Sequence, residues 1–305
     1  MISITDPIQP AYAYMRSLLF EPFQAKKWFL LGFAAFLAHL ADGGSFNYNS
    51  NPFNRSRGGP DFEGALSWVS EHLVLVVTLA VLAFLFILAL SILFQWLSSR
   101  GQFMFLDGVA HDSSDIAEPW ARFRELGNQV FAFRVKLMLA GWGAFFIIVG
   151  LGVALALPDI RARHFGMASI LALVVAGGLL LLVLLALVLV TMLLRDFVVP
   201  IMYQRNLGTA AAWSVLRQEL LPGRAWTFVG FYLMNLLLGL VAALLMLLGC
   251  CLTCCLALLP YLSSVVFLPI HVFFRCYSLK FLEQFGEEWR ILQGASAVAV
   301  EEEQN

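Results

Sequence analysis

Four cysteines stand in one short segment, Cys250-Cys251-Leu-Thr-Cys254-Cys255, and invite a metal or redox interpretation. On a continuous helix Cys250 lies one turn from Cys254, and Cys251 one turn from Cys255, so that two thiolates could share a soft metal ion. Four thiolates on one helix nevertheless cover too wide an arc for a tetrahedral shell, and the nearby sequence adds no His or carboxylate. We therefore expect small packing residues that allow close helix approach, and neither a metal nor another cofactor.

Histidines and carboxylates supply two further candidates. Asp107 and His111 are four residues apart, which on a helix places a carboxylate and an imidazole on one face and would allow a cation site. A solvated helix end with its cap is the simpler interpretation. His39 and His271 are the ionisable residues of the apolar segments, and we expect them near opposite faces of the membrane as neutral, hydrogen-bonded side chains. The sequence contains no phosphate loop, nucleophile elbow or zinc-protease pair, and we expect no enzyme.

The most informative pattern is an aromatic residue four positions before an arginine, which occurs three times ahead of apolar segments. On an amphipathic helix, ring and cation share a face, so each pair is suited to clamp an anionic lipid headgroup at the membrane surface. Arginines also follow three apolar segments. The alternatives are plain structural elbows or docking of another protein. The candidate headgroup residues are Tyr12, Arg16, Trp120, Arg124, Trp213, Arg217, Arg100, Arg195 and Arg275.

The elements that hold these residues are membrane helices. The chain of 305 residues is 61% hydrophobic and 13% charged, too apolar for a water-soluble fold. Runs of about 20 apolar residues predict spanning helices, because no water satisfies backbone groups inside the bilayer. Apart from Glu71 at an outer rim these spans contain no acid, which argues against a carboxylate-coupled transporter. The six predicted spans are about 28–41, 67–97, 137–157, 167–194, 226–256 and 261–274.

The distribution of charge predicts the orientation of the spans. Fifteen of the nineteen Lys and Arg residues fall in the amino-terminal segment, in 98–136, in 195–225 and after residue 274. The positive-inside rule then places both termini in the cytoplasm, in a multi-pass protein of the bacterial cytoplasmic (inner) membrane. The net charge of -1 gives no reason to expect a nucleic-acid partner.

The same order of features precedes each pair of spans and predicts a threefold internal repeat, over about 9–98, 115–194 and 207–275. Each copy has an amphipathic interfacial helix, a basic or aromatic foot and a hairpin of two spans. We expect an all-α, single six-span membrane domain over 1–290 and a disordered acidic tail over 291–305. Glycines in spans three and four would let those helices pack closely.

The segment from Phe197 to Trp226 resembles a bacterial six-span membrane-domain family that is attached to some glycerophosphoryl diester phosphodiesterases and otherwise occurs in stand-alone proteins of unknown function. The family's motif is a Val-Pro after a span, a Leu-Gly with small residues, an aromatic residue and an arginine, then an aromatic at the next span. A soluble phosphodiesterase domain is not expected here, so the resemblance implies only a membrane role connected with lipid or envelope homeostasis. The matching positions are Pro200, Leu207, Gly208, Trp213, Arg217 and Trp226.

These observations predict a non-enzymatic integral membrane protein that engages lipids, in envelope organisation or in the movement of a lipid or amphiphile. A transporter or channel for a small solute is one alternative, and a subunit or assembly factor of a membrane complex is another. The expected partners are membrane lipids, with other membrane proteins or a second copy of the chain as further options.

Overall fold

A computed structural model describes residues 2–41, 71–112, 117–162, 166–252 and 260–292, and the secondary structure of these ranges is entirely helical. The predicted all-α fold is therefore confirmed for the described residues. Two π-helical turns cover Leu194–Val198 and Leu216–Leu220, and a 3-10 turn covers Glu287–Trp289. The α-helices are α1 (Ile8–Phe20), α2 (Ala25–His39), α3 (Leu73–Ala110), α4 (Ala117–Arg122), α5 (Arg124–Ala162), α6 (Met167–Leu193), α7 (Val199–Arg205), α8 (Thr209–Val215), α9 (Ala225–Leu252), α10 (Pro260–Val266) and α11 (Leu268–Glu283).

Four helices of the described residues are long and apolar enough to cross a membrane. They are Leu73–Ala110, Arg124–Asp159, Met167–Arg205 and Ala225–Gly249, of which the third includes α6, the π-helical turn and α7. Each exceeds the roughly 20 residues that a hydrocarbon layer of about 30 Å requires. Helices of this kind are those of an integral membrane protein.

The segments predicted as the first and sixth spans form shorter helices. α2 has 15 residues, and a break at Phe267 separates α10, with 7 residues, from α11, with 16. None of the three reaches the length of a simple spanning helix. The structure therefore supports four long membrane helices, and the first and sixth spans stay predictions.

Two of the three predicted hairpins correspond to packed helix pairs, α2 with α3 and α5 with α6. The third would turn through residues 253–259, which lie outside the described residues, so the threefold repeat stays a prediction. The tail expected over 291–305 lies outside the described residues from residue 293 onward. Its first two residues, Ile291 and Leu292, are buried in the core.

Each long helix changes its environment part-way along its length. On α3, Phe86 is 69% exposed and Phe103 is fully buried; along the helix that begins with α6, Leu182 is 66% exposed and Phe197 is fully buried. The exposed stretches consist almost wholly of apolar side chains, which lipid accommodates and water does not. We call these stretches the apolar arms: residues 73–93, 139–157, 167–192 and 233–248.

The remaining parts of the long helices form a packed core with the shorter helices. Residues 98–110 of α3 are buried throughout, and the Tyr14 hydroxyl of α1 donates to the carbonyl oxygen of Val109 at 2.7 Å. Burial raises the pKa of Tyr14, which keeps this hydroxyl protonated as a donor. Lys27 of α2 donates to the carbonyl oxygen of Leu18 at 2.6 Å and forms an ion pair with Asp112.

Small residues set the helix separation at some of the predicted positions. A Cβ atom on Gly152 of α5 would lie 3.1 Å from the Cβ atom of Ala176 on α6, so these helices approach closely there. By contrast, an added Cβ on Gly143 or Gly178 meets nothing within 4 Å. A tight approach to a backbone joins α3 to α2, because a Cβ on Gly101 would lie 2.6 Å from the carbonyl carbon of Leu37.

We predict that Gly101→Ala destabilises the protein by about 1–3 kcal/mol, because the backbone of α2 would have to move to admit the methyl group. The measurement is the Tm of the purified protein in detergent. Gly143→Ala is the matched control and should leave the Tm unchanged or slightly raised, since it adds helix propensity without a clash. Equal Tm values for the two variants would contradict the packing of α2 on α3.

Candidate functional site

The first two aromatic and arginine pairs lie on helices, and Arg16 and Trp120 have partners outside their pairs. Tyr12 and Arg16 are exposed on α1, and Arg16 Nε lies 3.1 Å from Glu21 Oε1. Trp120 belongs to α4 and the exposed Arg124 begins α5, because the helix predicted to run through both is interrupted between them. Headgroup binding by these residues stays a prediction.

The sequence pairs Trp120 with Arg124, but in the structure the Trp120 ring contacts Arg100. Its guanidinium carbon lies 4.3 Å from the centroid of Trp96 and 5.0 Å from that of Trp120, and Nη2 donates to Asn128 Oδ1 at 3.1 Å. The residue is 7% exposed. Arg100 is therefore part of the contact between α3, α4 and α5, held by two indole faces and one amide.

The third pair, Trp213 and Arg217, lines a groove of about 920 Å³ between α5 and α8. Lys136 of α5 lies in the same groove, so two exposed cations face one space. The Trp213 ring packs against Phe133, with centroids 5.9 Å apart. Leu193, the last residue of α6, also lines the groove. The groove therefore lies at the end of an apolar arm. We call this space the basic groove.

The Leu-Gly motif explains how α8 approaches α5 at the basic groove. The backbone N–H of Thr209 donates to Gln129 Oε1 at 3.2 Å, and a Cβ atom on Gly208 would lie 2.7 Å from that same oxygen. A methyl group at this position would therefore displace the Gln129 amide from its bond with the Thr209 N–H. The Trp213 Nε1 and the hydroxyl of Thr209 are buried and find no hydrogen-bond partner among the described residues.

The arginines at the other span exits are tied to the core by hydrogen bonds. Arg275, 7% exposed, donates from Nη1 to the carbonyl oxygen of Arg195 at 2.8 Å. Arg195 Nε in turn donates to Asp196 Oδ1 at 3.1 Å. Arg134, which precedes the predicted third span, likewise donates from Nη1 to Ser98 Oγ at 3.0 Å. These cations therefore hold helices together where the apolar arms enter the core.

Sequence reasoning missed Asp196 as a buried acid inside a long helix. The predicted fourth span ended at Leu194, whereas the helix continues through the π-helical turn to Arg205, and Asp196 is only 6% exposed within it. The available signal was the apolar run Phe197-Val-Val-Pro-Ile-Met, which continues the buried segment past the charged pair.

The expectation that His39 and His271 lie near opposite membrane faces is wrong. Their ring centroids are 4.5 Å apart, at the contact of α2 with α11. The error arose from placing both by the predicted ends of spans one and six, although α2 is short and α11 packs beside it. His39 Nδ1 lies 2.8 Å from the carbonyl oxygen of Ala35, so this nitrogen is the donor.

Asp107 and His111 meet on α3 as their spacing predicts, and the partner that joins them comes from α7. The Tyr203 hydroxyl donates to Asp107 Oδ1 at 2.7 Å and lies 3.1 Å from His111 Nδ1, which is itself 3.3 Å from the same carboxylate oxygen. The three side chains are hydrogen-bonding partners of one another, which favours the structural interpretation over a cation site.

The described residues contain no group of three or more His, Cys, Asp or Glu side chains arranged to hold a metal ion. The cysteine cluster at 250–255 lies outside the side chains that the structure describes, and its packing role stays a prediction. Cys276 is buried as a free thiol.

The family model for a family of unknown function, DUF7544, matches residues 2–262. The chain belongs to this family, and the match extends across all four long helices. The family description names no phosphodiesterase, so the resemblance to that membrane domain stays a prediction. No curated protein and no solved structure shows detectable similarity to the chain.

We predict that Tyr203→Phe lowers the Tm by several degrees, because it removes the donor to a buried carboxylate, a loss of about 1–3 kcal/mol. Tyr12→Phe changes a tyrosine that is 56% exposed and should have no effect. A Tm for Tyr203→Phe equal to that of the wild type would show that the hydroxyl does not join α7 to α3.

Proposed function

We propose that this chain is a non-enzymatic protein of the bacterial cytoplasmic membrane that binds anionic lipid at the inner leaflet, in envelope organisation or in the movement of a lipid or amphiphile. The basic groove is the observation that carries the proposal. It combines two cations, Lys136 and Arg217, with an apolar border at the end of an arm. A phospholipid requires this combination, a charged head beside an apolar chain.

The hydrogen-bonding capacity of the basic groove supports a phosphate ligand. Trp213 and Thr209 both line it, and neither the indole Nε1 nor the buried hydroxyl has a partner among the described residues. Both groups can donate to a phosphate oxygen, and a buried donor without a partner costs about 1–3 kcal/mol. Headgroup binding would remove this cost.

The charge pattern supports the proposed orientation. Arg100, Arg134 and Arg275 lie where the apolar arms pass into the core, and Lys136 and Arg217 are exposed beside the same boundary. With the positive-inside rule this arrangement supports a cytoplasmic core, and with it cytoplasmic termini. The proposal also includes six spans, the threefold repeat and the resemblance to the phosphodiesterase membrane domain. These three parts are supported by the sequence patterns alone.

The other predicted headgroup residues have weaker support, since Arg16 is paired with Glu21 and Arg100 is enclosed by indole rings. Transport of a small solute and assembly of a membrane complex stay alternative predictions.

We predict that the double variant Lys136→Gln, Arg217→Gln co-purifies with much less anionic lipid. Each cation near an anionic surface contributes about 1 kcal/mol, so the pair changes affinity by roughly thirtyfold. The measurement is the molar ratio of phosphatidylglycerol and cardiolipin to protein after purification from bacterial membranes in mild detergent.

A charge-matched control is Lys26→Gln with Arg122→Gln, which removes two exposed cations outside the basic groove and should retain the lipid. Equal lipid content in wild type and groove variant would contradict the proposal. Equal loss in both double variants would attribute binding to net charge and would likewise overturn the groove as the site.

A further inference from the structure

A second space, which we call the central cavity, has a volume of about 290 Å³. Its walls come from α2, α3, the first π-helical turn, α9 and α11, and it shares no lining residue with the basic groove. The paired rings of His39 and His271 form part of one wall. An inference from this cavity is therefore independent of the proposed function.

Three buried polar side chains of the central cavity keep unused hydrogen-bonding atoms. Gln102 is 2% exposed, and neither its amide oxygen nor its amide nitrogen has a partner among the described residues. The same holds for Asp196 Oδ2 and Arg275 Nε. Buried polar atoms are normally paired, and those that are not require an explanation. The residues that carry these four atoms, two donors and two acceptors, all line the central cavity.

The charges that line the central cavity leave one positive charge in excess. Arg195 and Arg275 are cationic, and Asp196 compensates one of them through its bond with Arg195. We count both imidazoles as neutral, because two rings 4.5 Å apart beside two guanidinium groups would carry added positive charge at high cost. A ligand whose charge balances that of the cavity is therefore a monoanion.

The α9 wall of the central cavity is apolar beyond Asn235 and belongs to an arm. Gly239, Ala242, Ala243 and Met246 of α9 line it, and the small residues leave room for a chain beside the helix. An added Cβ on Gly239 meets nothing within 4 Å. A ligand can thus place a polar head at Gln102 and an apolar continuation along α9.

We propose that the central cavity binds the head of a monoanionic amphiphile that carries both an oxyanion and at least one hydroxyl group. Arg275 Nε and the Gln102 amide nitrogen donate to the oxyanion, and Asp196 Oδ2 and the Gln102 amide oxygen accept from the hydroxyl. A phosphodiester lipid with a polyol head has this chemistry, and so has a free hydroxylated phosphate monoanion.

The test uses the full chain with Lys136→Gln and Arg217→Gln, so that the basic groove does not contribute. Native mass spectrometry in detergent measures the binding of phosphatidylglycerol and of phosphatidylmethanol, an equally charged phosphodiester without a head hydroxyl. We expect phosphatidylglycerol to bind at least tenfold more tightly. If inorganic phosphate competes with phosphatidylglycerol, the ligand is a free phosphate that binds without acyl chains. If it does not compete, the ligand is the intact lipid. Both results support binding of the shared oxyanion and hydroxyl chemistry.

Two variants locate this binding in the central cavity. Gln102→Met keeps the volume but removes both unpaired amide atoms, so it should weaken phosphatidylglycerol binding about tenfold while the Tm stays equal or rises. A purely structural glutamine would lower the Tm on substitution. Gly239→Leu fills the apolar end without touching the polar groups and should weaken binding similarly. Binding within twofold of the parent in both folded variants, or equal binding of the two lipids, would overturn the proposal.

Discussion

The position of the bilayer along four long helices is the constraint on which the rest of the structure depends. One part of each helix exposes apolar side chains, such as Phe86 on α3 and Leu182 on α6, while another part is enclosed by protein. In hydrocarbon the backbone must satisfy its own hydrogen bonds, and an unbroken helix does so. In the core the same helices can carry polar residues, because neighbouring helices provide partners for them.

The basic residues acquire their roles from this change of environment. Arginines that enter the core are held by protein groups: Arg275 by a backbone carbonyl, Arg134 by Ser98, and Arg100 by two indole rings. Cations at the rim of the core, Lys136 and Arg217, stay exposed beside apolar surface. The positive-inside pattern of the sequence therefore combines structural and lipid-facing residues, and only the second group is available to bind headgroups.

Hydropathy predicted the long apolar helices because an apolar run must be helical in a bilayer, but it could not predict where those helices end. Polar residues such as Asp196 look like a boundary in sequence, yet the helix continues because Arg195 compensates the charge. The groove residues Trp213 and Arg217 could be identified from their repeated spacing. The meeting of His39 with His271, and the unpaired amide of Gln102, depend on contacts between distant segments that no local pattern encodes.

The most direct test of this account measures which side chains face lipid. Nitroxide labels are placed singly at Leu82, Ile147, Leu182 and Leu240, one on each apolar arm, and at Arg122 on α4, after replacement of the five cysteines. Accessibility to oxygen and to a water-soluble nickel chelate is then measured by electron paramagnetic resonance in lipid bilayers. We predict that oxygen reaches the four arm positions more readily than nickel, with the reverse at Arg122. Greater access of nickel at the arm positions would contradict the account.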